Sequence, residues 1–227
     1  MRQIILDTET TGLEASQGHR VIEIGCVEIV SRRLTGRHFH RYLNPERDID
    51  EAATAVHGIT RARLEGEPRF PEIAQEFFDF IDGAELIIHN ASFDLGFLDA
   101  EVARLANDPR KIDTRCRVLD TLTLARELHP GQRNNLDALC KRYGVDNSRR
   151  TLHGALIDAR ILADVYLAMT GGQSALELGE SRPRRGANGA PSAPVVRNAR
   201  PEGALRVIEP SVAELAAHED FLARIAK

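Results

Sequence analysis

Apolar residues fall first into short strand-like runs and, after Pro45, into mainly helical pieces. Residues 3–7 (Q-I-I-L-D) read as a short buried strand leading into a turn at Thr10-Thr11-Gly12. Residues 21–30 form a longer, mostly apolar run, and residues 36–43 a third strand of mixed character. The short loops between them predict an antiparallel meander. Residues 70–81 are the clearest helix, with Pro71 near its start, where a missing N–H is tolerated.

Residues 85–89 (E-L-I-I-H) predict the next strand, followed at once by a helix over about 92–105 with Ser92 as its cap. Residues 118–120 are a short strand, again followed by helical sequence at 121–128. Between 134 and 143, Leu136, Leu139, Cys140 and Tyr143 keep the i, i+3, i+4, i+7 spacing of one helix face. A last helix spans about 154–169. A meander followed by strand–helix units predicts an α/β fold, a mixed sheet covered by helices.

Composition shifts near Gly171. Three segments follow from it: a catalytic domain at 1–172, a flexible linker at 173–204 poor in large apolar residues, and a docking segment at 205–227. In the last of these, Ser211 and Glu214 fit a capping box. Val212, Leu215, Ala216, Leu222 and Ile225 form an apolar stripe that a helix this short cannot bury by itself. Hydrophobic residues make up 42% and charged residues 28%, an ordinary globular balance. No apolar run approaches the ~20 residues of a membrane span, so no membrane partner is expected. The start of the chain leaves no room for a signal peptide. Cys26, Cys116 and Cys140 are odd in number and lack Cys-x-x-Cys spacing, which predicts reduced thiols and a cytoplasmic protein. The net charge of −4 is unusual for a chain that grips nucleic acid by its backbone. Any such grip must be local, metal-mediated and helped by another protein.

Candidate chemistry sits in three short motifs. Asp7 and Glu9, in I-L-D-T-E-T-T-G, are two apart on a predicted strand, so both project from one face, roughly 7 Å apart, and Thr8 from the other. The spacing suits two carboxylates sharing cations ~3.5–4 Å apart; taken alone it reads more simply as a strand end turning polar at solvent. Asp94, in H-N-A-S-F-D-L-G-F-L, falls just inside a helix start, where a lone acid simply complements the helix dipole. Its strand, however, is expected beside the first one, which brings Asp94 towards Asp7 and Glu9. His153 and Asp158, in H-G-A-L-I-D-A-R, would stand about 140° apart if both were helical. They share a pocket only if His153 precedes the helix, with Gly154 permitting the bend. His38 and His40 share a strand face but lack a third ligand, and Asp120 reads as a helix cap. Four carboxylates and one histidine converging on a pocket are the equipment for phosphodiester cleavage with two divalent cations, Mg2+ or Mn2+.

The three motifs together resemble the DEDD exonucleases, in the branch whose third motif carries histidine; that resemblance implies a ribonuclease H-like fold with a five-stranded sheet. Nearly the whole chain is similar to the proofreading 3′→5′ exonucleases of bacterial replicative polymerases. The stretches V-H-G-I-T at 56–60 and R-N-N-L-D-A-L-C-K-R-Y at 133–143 add to the motifs. The resemblance implies that Asp7 bridges both metals, that Glu9 and Asp158 bind the hydrolytic one, and that Asp94 binds the other. It implies that His153 is the general base, and that Thr10, Thr11, His57 and Phe93 join the acids in contacting a DNA 3′ end. It further implies a polymerase catalytic (alpha) subunit as partner, reached through Leu215 and Leu222. A sliding clamp would be met through a peptide at Gln173, Leu176 and Leu178, and a small accessory subunit is a further partner. Two competing readings are an RNA-trimming exonuclease of the same superfamily and a non-catalytic scaffold between polymerase and clamp.

Overall fold

Strand β1 (Arg2–Thr10) is the centre of a sheet ordered β3-β2-β1-β4-β5. Strands β2 (Val21–Val30) and β3 (Arg33–Tyr42) pair antiparallel on one side of it. After the short helices α1 (Glu51–His57) and α2 (Arg61–Leu64) and the longer α3 (Phe70–Ile81), strand β4 (Glu85–Ile88) joins β1 in parallel. Helix α4 (Ala91–Val102) leads back to β5 (Arg117–Asp120), parallel to β4. Helices α5 (Thr121–Leu128), α6 (Leu136–Tyr143) and α7 (Ala155–Thr170) complete the first unit. The computed structural model describes residues 1–105, 111–148, 152–171 and 210–225, in two units, Met1–Leu176 and Glu177–Lys227. The predicted linker and the clamp peptide at Gln173, Leu176 and Leu178 lie outside the described residues.

The period-two alternation of β1 decides what packs where. Ile4 and Leu6 point into a core built with Phe70, Phe77 and Phe97 of α3 and α4, whereas Ile5 points at Ala159, Leu162 and Ala163 of α7. Each fully buried aliphatic side chain contributes about 1.5–3 kcal/mol of transfer free energy. The same alternation, continued past Leu6, sends Asp7 and Glu9 to the α7 side and Thr8 to the α4 side.

Four expectations are corrected. Thr10 belongs to β1, not to a turn: pairing with β2 runs on to Thr10↔Val21 across a bulge after Glu9. The meander's third strand starts at Arg33 rather than residue 36. Helix α4 starts one residue before Ser92; its N-cap is Asn90 in the left-handed region (φ 66), a conformation asparagine tolerates better than most. That cap is steadied from outside the segment, because the Asn90 N–H donates to the Asp120 carboxylate at 3.0 Å. Gly154, finally, is not needed for a bend. Its φ of −163 is ordinary extended backbone, and an added Cβ would meet only Ile157 at 3.8 Å.

The glycine that matters is Gly25, opposite Asp7 in the β1–β2 pairing. A Cβ there would lie 2.2 Å from the Ala155 carbonyl carbon and the Leu156 nitrogen. Only a bare strand position lets the first turn of α7 rest on the sheet this closely. In the second unit, α8 (Val212–Ile225) is capped by the predicted box: the Ser211 N–H donates to Glu214 at 2.8 Å and the Glu214 N–H to Ser211 Oγ at 3.3 Å. Val212, Leu215, Phe221 and Leu222 are exposed on it. The three cysteines are buried thiols outside any disulfide, and no described helix is long and apolar enough to cross a membrane.

Candidate active site

The ends of β1 and β4 open into a pocket of about 390 Å³ lined by all five predicted residues, Asp7, Glu9, Asp94, His153 and Asp158. They arrive from different directions. β1 delivers Asp7 and Glu9 on its α7 side. Asp158 stands in the first turn of α7, and His153 precedes the N-cap Gly154, with its backbone N–H donated to the Val56 carbonyl at 3.2 Å. Asp94 reaches the pocket from the opposite side of β1, where the Thr8 hydroxyl donates to its Oδ1 at 2.7 Å. His153 Nδ1 lies 3.2 Å from Asp158 Oδ2, and ligand atoms of Glu9, His153 and Asp158 all fall within 4.8 Å of one another.

Burial sets the electrostatics. Glu9, Asp94 and Asp158 are each less than a tenth exposed. Loss of hydration pushes the Asp94 carboxyl up to about 7, against the pull of the Thr8 hydroxyl and of backbone N–H groups. Helix starts favour negative charge at both Asp94 and Asp158. Among the described residues, no lysine or arginine lines the pocket; Asp137 adds a fifth carboxylate and His89 a second imidazole. Such a donor set, rich in hard oxygens and without a built-in cation, fits divalent metal ions.

A second, more apolar cleft opens beside the first and shares Thr8, Glu9 and Phe93 with it. Thr10, Leu13, Val56 and His57 line its far wall. The Phe93 ring is braced by Phe97, centroids 5.0 Å apart. His57 accepts the Ile59 N–H on Nδ1 at 3.0 Å, so its neutral ring carries the proton on Nε2, and burial holds its pKa below the usual imidazole value. Thr11 is placed differently from its neighbour. It is fully buried, its hydroxyl is taken by His19 Nδ1 and the Arg20 N–H, both at 3.0 Å, and it lines neither cleft. Sequence reasoning missed Thr8, His89, Asn135 and Asp137. Asn135 is the N-cap of α6, its side chain accepting from the Ala138 N–H, and that capping position was the available signal.

The site's class follows from comparison with known proteins. A family model described as Exonuclease matches residues 4–166. The chain is 52% identical over 233 residues to the DNA polymerase III subunit epsilon of Escherichia coli K12 and to that of Salmonella typhimurium LT2, covering 100% of this chain and 94% of each relative. It is 48% identical to the Rickettsia felis epsilon subunit, covering 98% of that protein. Among solved structures it resembles exonuclease X in complex with 5′-overhanging duplex DNA, with TM-score 0.58, 26% identity and coverage of 74% of this chain and 91% of that one. It also resembles an E. coli ExoI–ssDNA complex, with TM-score 0.66, 18% identity and coverage of 76% and 41%; that likeness speaks for the ribonuclease H-like fold alone. The chain belongs to this exonuclease family and, within it, to the DNA polymerase III epsilon subunits, which makes it a 3′→5′ DNA exonuclease.

Proposed function

We propose that the protein removes mispaired nucleotides from a DNA 3′ end by two-metal-ion hydrolysis, as the proofreading subunit of DNA polymerase III. The observation that carries this reading is the gathering of Asp7, Glu9, Asp94, His153 and Asp158 in one pocket that contains no cationic side chain among the described residues. Asp7, Glu9, Asp94 and Asp158 would hold two divalent cations, with Asp7 shared between them, Glu9 and Asp158 serving the hydrolytic ion and Asp94 the other. Bound Mg2+ or Mn2+ supplies Lewis acidity towards the phosphodiester and lowers the pKa of water at the site.

The remaining work falls to the chain. His153 is nearly half exposed and has Asp158 3.2 Å from Nδ1, so it can take a proton from the attacking water and pass it to solvent. The Asp158 carboxylate orients the ring. Phe93, Thr10 and His57 receive the terminal nucleotide in the second cleft, with Phe93 offering a face for the base and His57 a donor. Thr11 holds the loop that shapes this cleft.

Delivery falls to the second unit. A capped helix with Leu215 and Leu222 exposed suits a partner-binding element; the relatives' name, a subunit of DNA polymerase III, supports the polymerase as partner, met through its catalytic (alpha) subunit. A tethered nuclease works at high effective concentration and need not hold DNA tightly by itself, which agrees with a net charge of −4. The sliding clamp, through Gln173, Leu176 and Leu178, and a small accessory subunit complete the proposed assembly. The catalytic residues do not distinguish deoxyribose from ribose; kinship with the epsilon subunits favours DNA. The test is a labelled, mispaired primer–template and a single-stranded RNA, each incubated with the protein with and without Mg2+. Metal-dependent shortening of the DNA from its 3′ end is expected; cleavage of RNA alone, or cleavage undiminished by excess EDTA, would overturn the reading.

A further inference from the structure

Next to the metal pocket, and continuous with it through His89 and Asn135, lies a wide trough of a different character. Its walls carry Arg126, from α5, and Arg133 and Asn134, from the loop before α6, while Asn90 contributes from the α4 cap. Arg126 and Arg133 are exposed, and neither has an ion pair among the described residues. Their neighbour Arg142 is fully engaged in building the loop. Its guanidinium donates to Asn134 Oδ1 at 3.0 Å, to Gln132 Oε1 at 3.0 Å and to the Arg133 carbonyl at 2.9 Å. The nearby Asp120 carboxylate is likewise occupied, by the N–H groups of Asn90 and Leu122 and the Thr123 hydroxyl. One arginine thus holds a wall in place while two others keep their charge directed at an open trough.

The metal pocket therefore has two unlike flanks. On one side the cleft of Thr10, Val56, His57 and Phe93 is apolar and suits a nucleoside. On the other side the walls are guanidinium and amide groups, the chemistry that binds phosphodiesters. An enzyme that releases terminal nucleotides needs one compartment for the residue removed and one path for the chain it is removed from. We propose that the trough binds the phosphodiester chain upstream of the scissile bond, with Arg126 and Arg133 taking its phosphates. This deepens the exonuclease reading and rests on it. It also offers the local grip that an acidic chain needs, because two arginines beside the pocket act on phosphates already delivered there.

The test compares two substrates of the full-length protein in Mg2+. One is an oligothymidylate of about ten nucleotides, within the range of single-strand site sizes. The other is the p-nitrophenyl ester of thymidine 5′-phosphate, which has no upstream phosphate. In Arg126→Ala/Arg133→Ala, KM for the oligonucleotide should rise about tenfold or more while kcat/KM for the small ester stays within about twofold. The slope of log affinity against log salt should fall by about 1.4, two contacts at ~0.7 each. Arg126→Lys/Arg133→Lys should recover most of that slope, which a purely structural role would not predict. An unchanged oligonucleotide KM and salt slope, or equal loss on both substrates, overturns the proposal. The underlying catalytic reading is judged separately, by whether Asp7→Ala abolishes hydrolysis of the small ester.

Discussion

Two kinds of buried carboxylate face the same side of the sheet. At one end Glu28, 3% exposed, receives Arg2 at 2.6 Å, Arg37 at 2.9 Å and the Thr35 hydroxyl at 2.8 Å. At the other end Asp94, also 3% exposed, is met by the Thr8 hydroxyl. Burial pushes both carboxyls up, but for Glu28 the two guanidinium groups and the hydroxyl overcome it and hold the pKa below the ordinary value. Asp94 instead rises to about 7. Glu101, clasped by Arg20 at 2.6 and 2.8 Å, is likewise met by a guanidinium and ties α4 to the start of β2. Glu28 and Glu101, which tie elements of the fold together, are met by arginines, whereas Asp94, beside the pocket, is met by a hydroxyl.

The largest expected effect tests that division. Asp7→Ala should abolish cleavage of a mispaired primer at saturating Mg2+, yet melt at the same temperature as the parent or higher in EDTA, because it relieves repulsion among close acids. The pattern should reverse for Glu28→Gln, which keeps activity and loses thermal stability. Measuring both by primer shortening and by thermal unfolding breaks the comparison if Asp7→Ala retains substantial activity.

His153 should come next. A general base contributes about 10²–10⁴-fold, so His153→Ala should be slow rather than dead, with a rate that climbs with pH as hydroxide replaces the missing base. Wild-type rates at neutral pH would remove His153 from that role.

A smaller loss, about 10²-fold for a displacement near 1 Å, is expected from Gly25→Ala. Its methyl group would collide with the Ala155 backbone at 2.2 Å and lift the turn that carries Asp158. Overpacking of this kind costs about 1–3 kcal/mol. Gly154→Ala adjoins His153 itself, yet should keep nearly full activity and lose only about 1 kcal/mol, the difference between glycine and alanine at an N-cap. Equal activity loss in the two variants would show that α7 is placed by something other than its approach to Gly25.

That pair also marks where sequence reading succeeds and stops. Two helices were legible to the residue, α3 at Phe70–Ile81 and α5 at Thr121–Leu128, whereas α6, read by its periodicity from 134, starts at Leu136. The gathering of Asp7, Glu9, Asp94, His153 and Asp158 in one pocket was legible because alternation on β1 and the helix starts of α4 and α7 are local patterns. Other features depend on distant partners. Asn90 can cap α4 in a left-handed conformation because a carboxylate thirty positions away, Asp120, takes its N–H. Gly25 looks like any small residue in an apolar strand until α7 is laid against it. Gly154, adjacent to the motif, attracted the explanation that belonged to Gly25. Thr11, inside the first motif, reads as a surface position until the loop around His19 and Arg20 folds over its hydroxyl.

The smallest effect is a difference in the pH dependence of stability, and it sharpens the comparison most. A carboxyl whose folded pKa is lowered, as for Glu28, stabilises above its unfolded pKa, and that stability is lost as pH falls through the folded value. A carboxyl whose folded pKa is raised works in reverse. Between about 4 and about 7, folded Asp94 keeps a proton that the unfolded chain releases, so without metal the protein loses stability as pH rises through this window. At pH 8 in EDTA, Asp94→Asn should therefore be more stable than the parent by on the order of a few kcal/mol, while Glu28→Gln should be less stable. Lowering the pH towards 4 should close the Asp94→Asn gap first; the Glu28→Gln gap should persist until the acid side of 4. Excess Mg2+ at pH 8 should reverse the sign for Asp94→Asn alone, since binding to the folded state stabilises only the variant that retains the site. Denaturant unfolding at pH 5 and pH 8, with and without Mg2+, measures all of these gaps, and an Asp94→Asn gap indifferent to both pH and Mg2+ would sink the distinction between the two carboxylates.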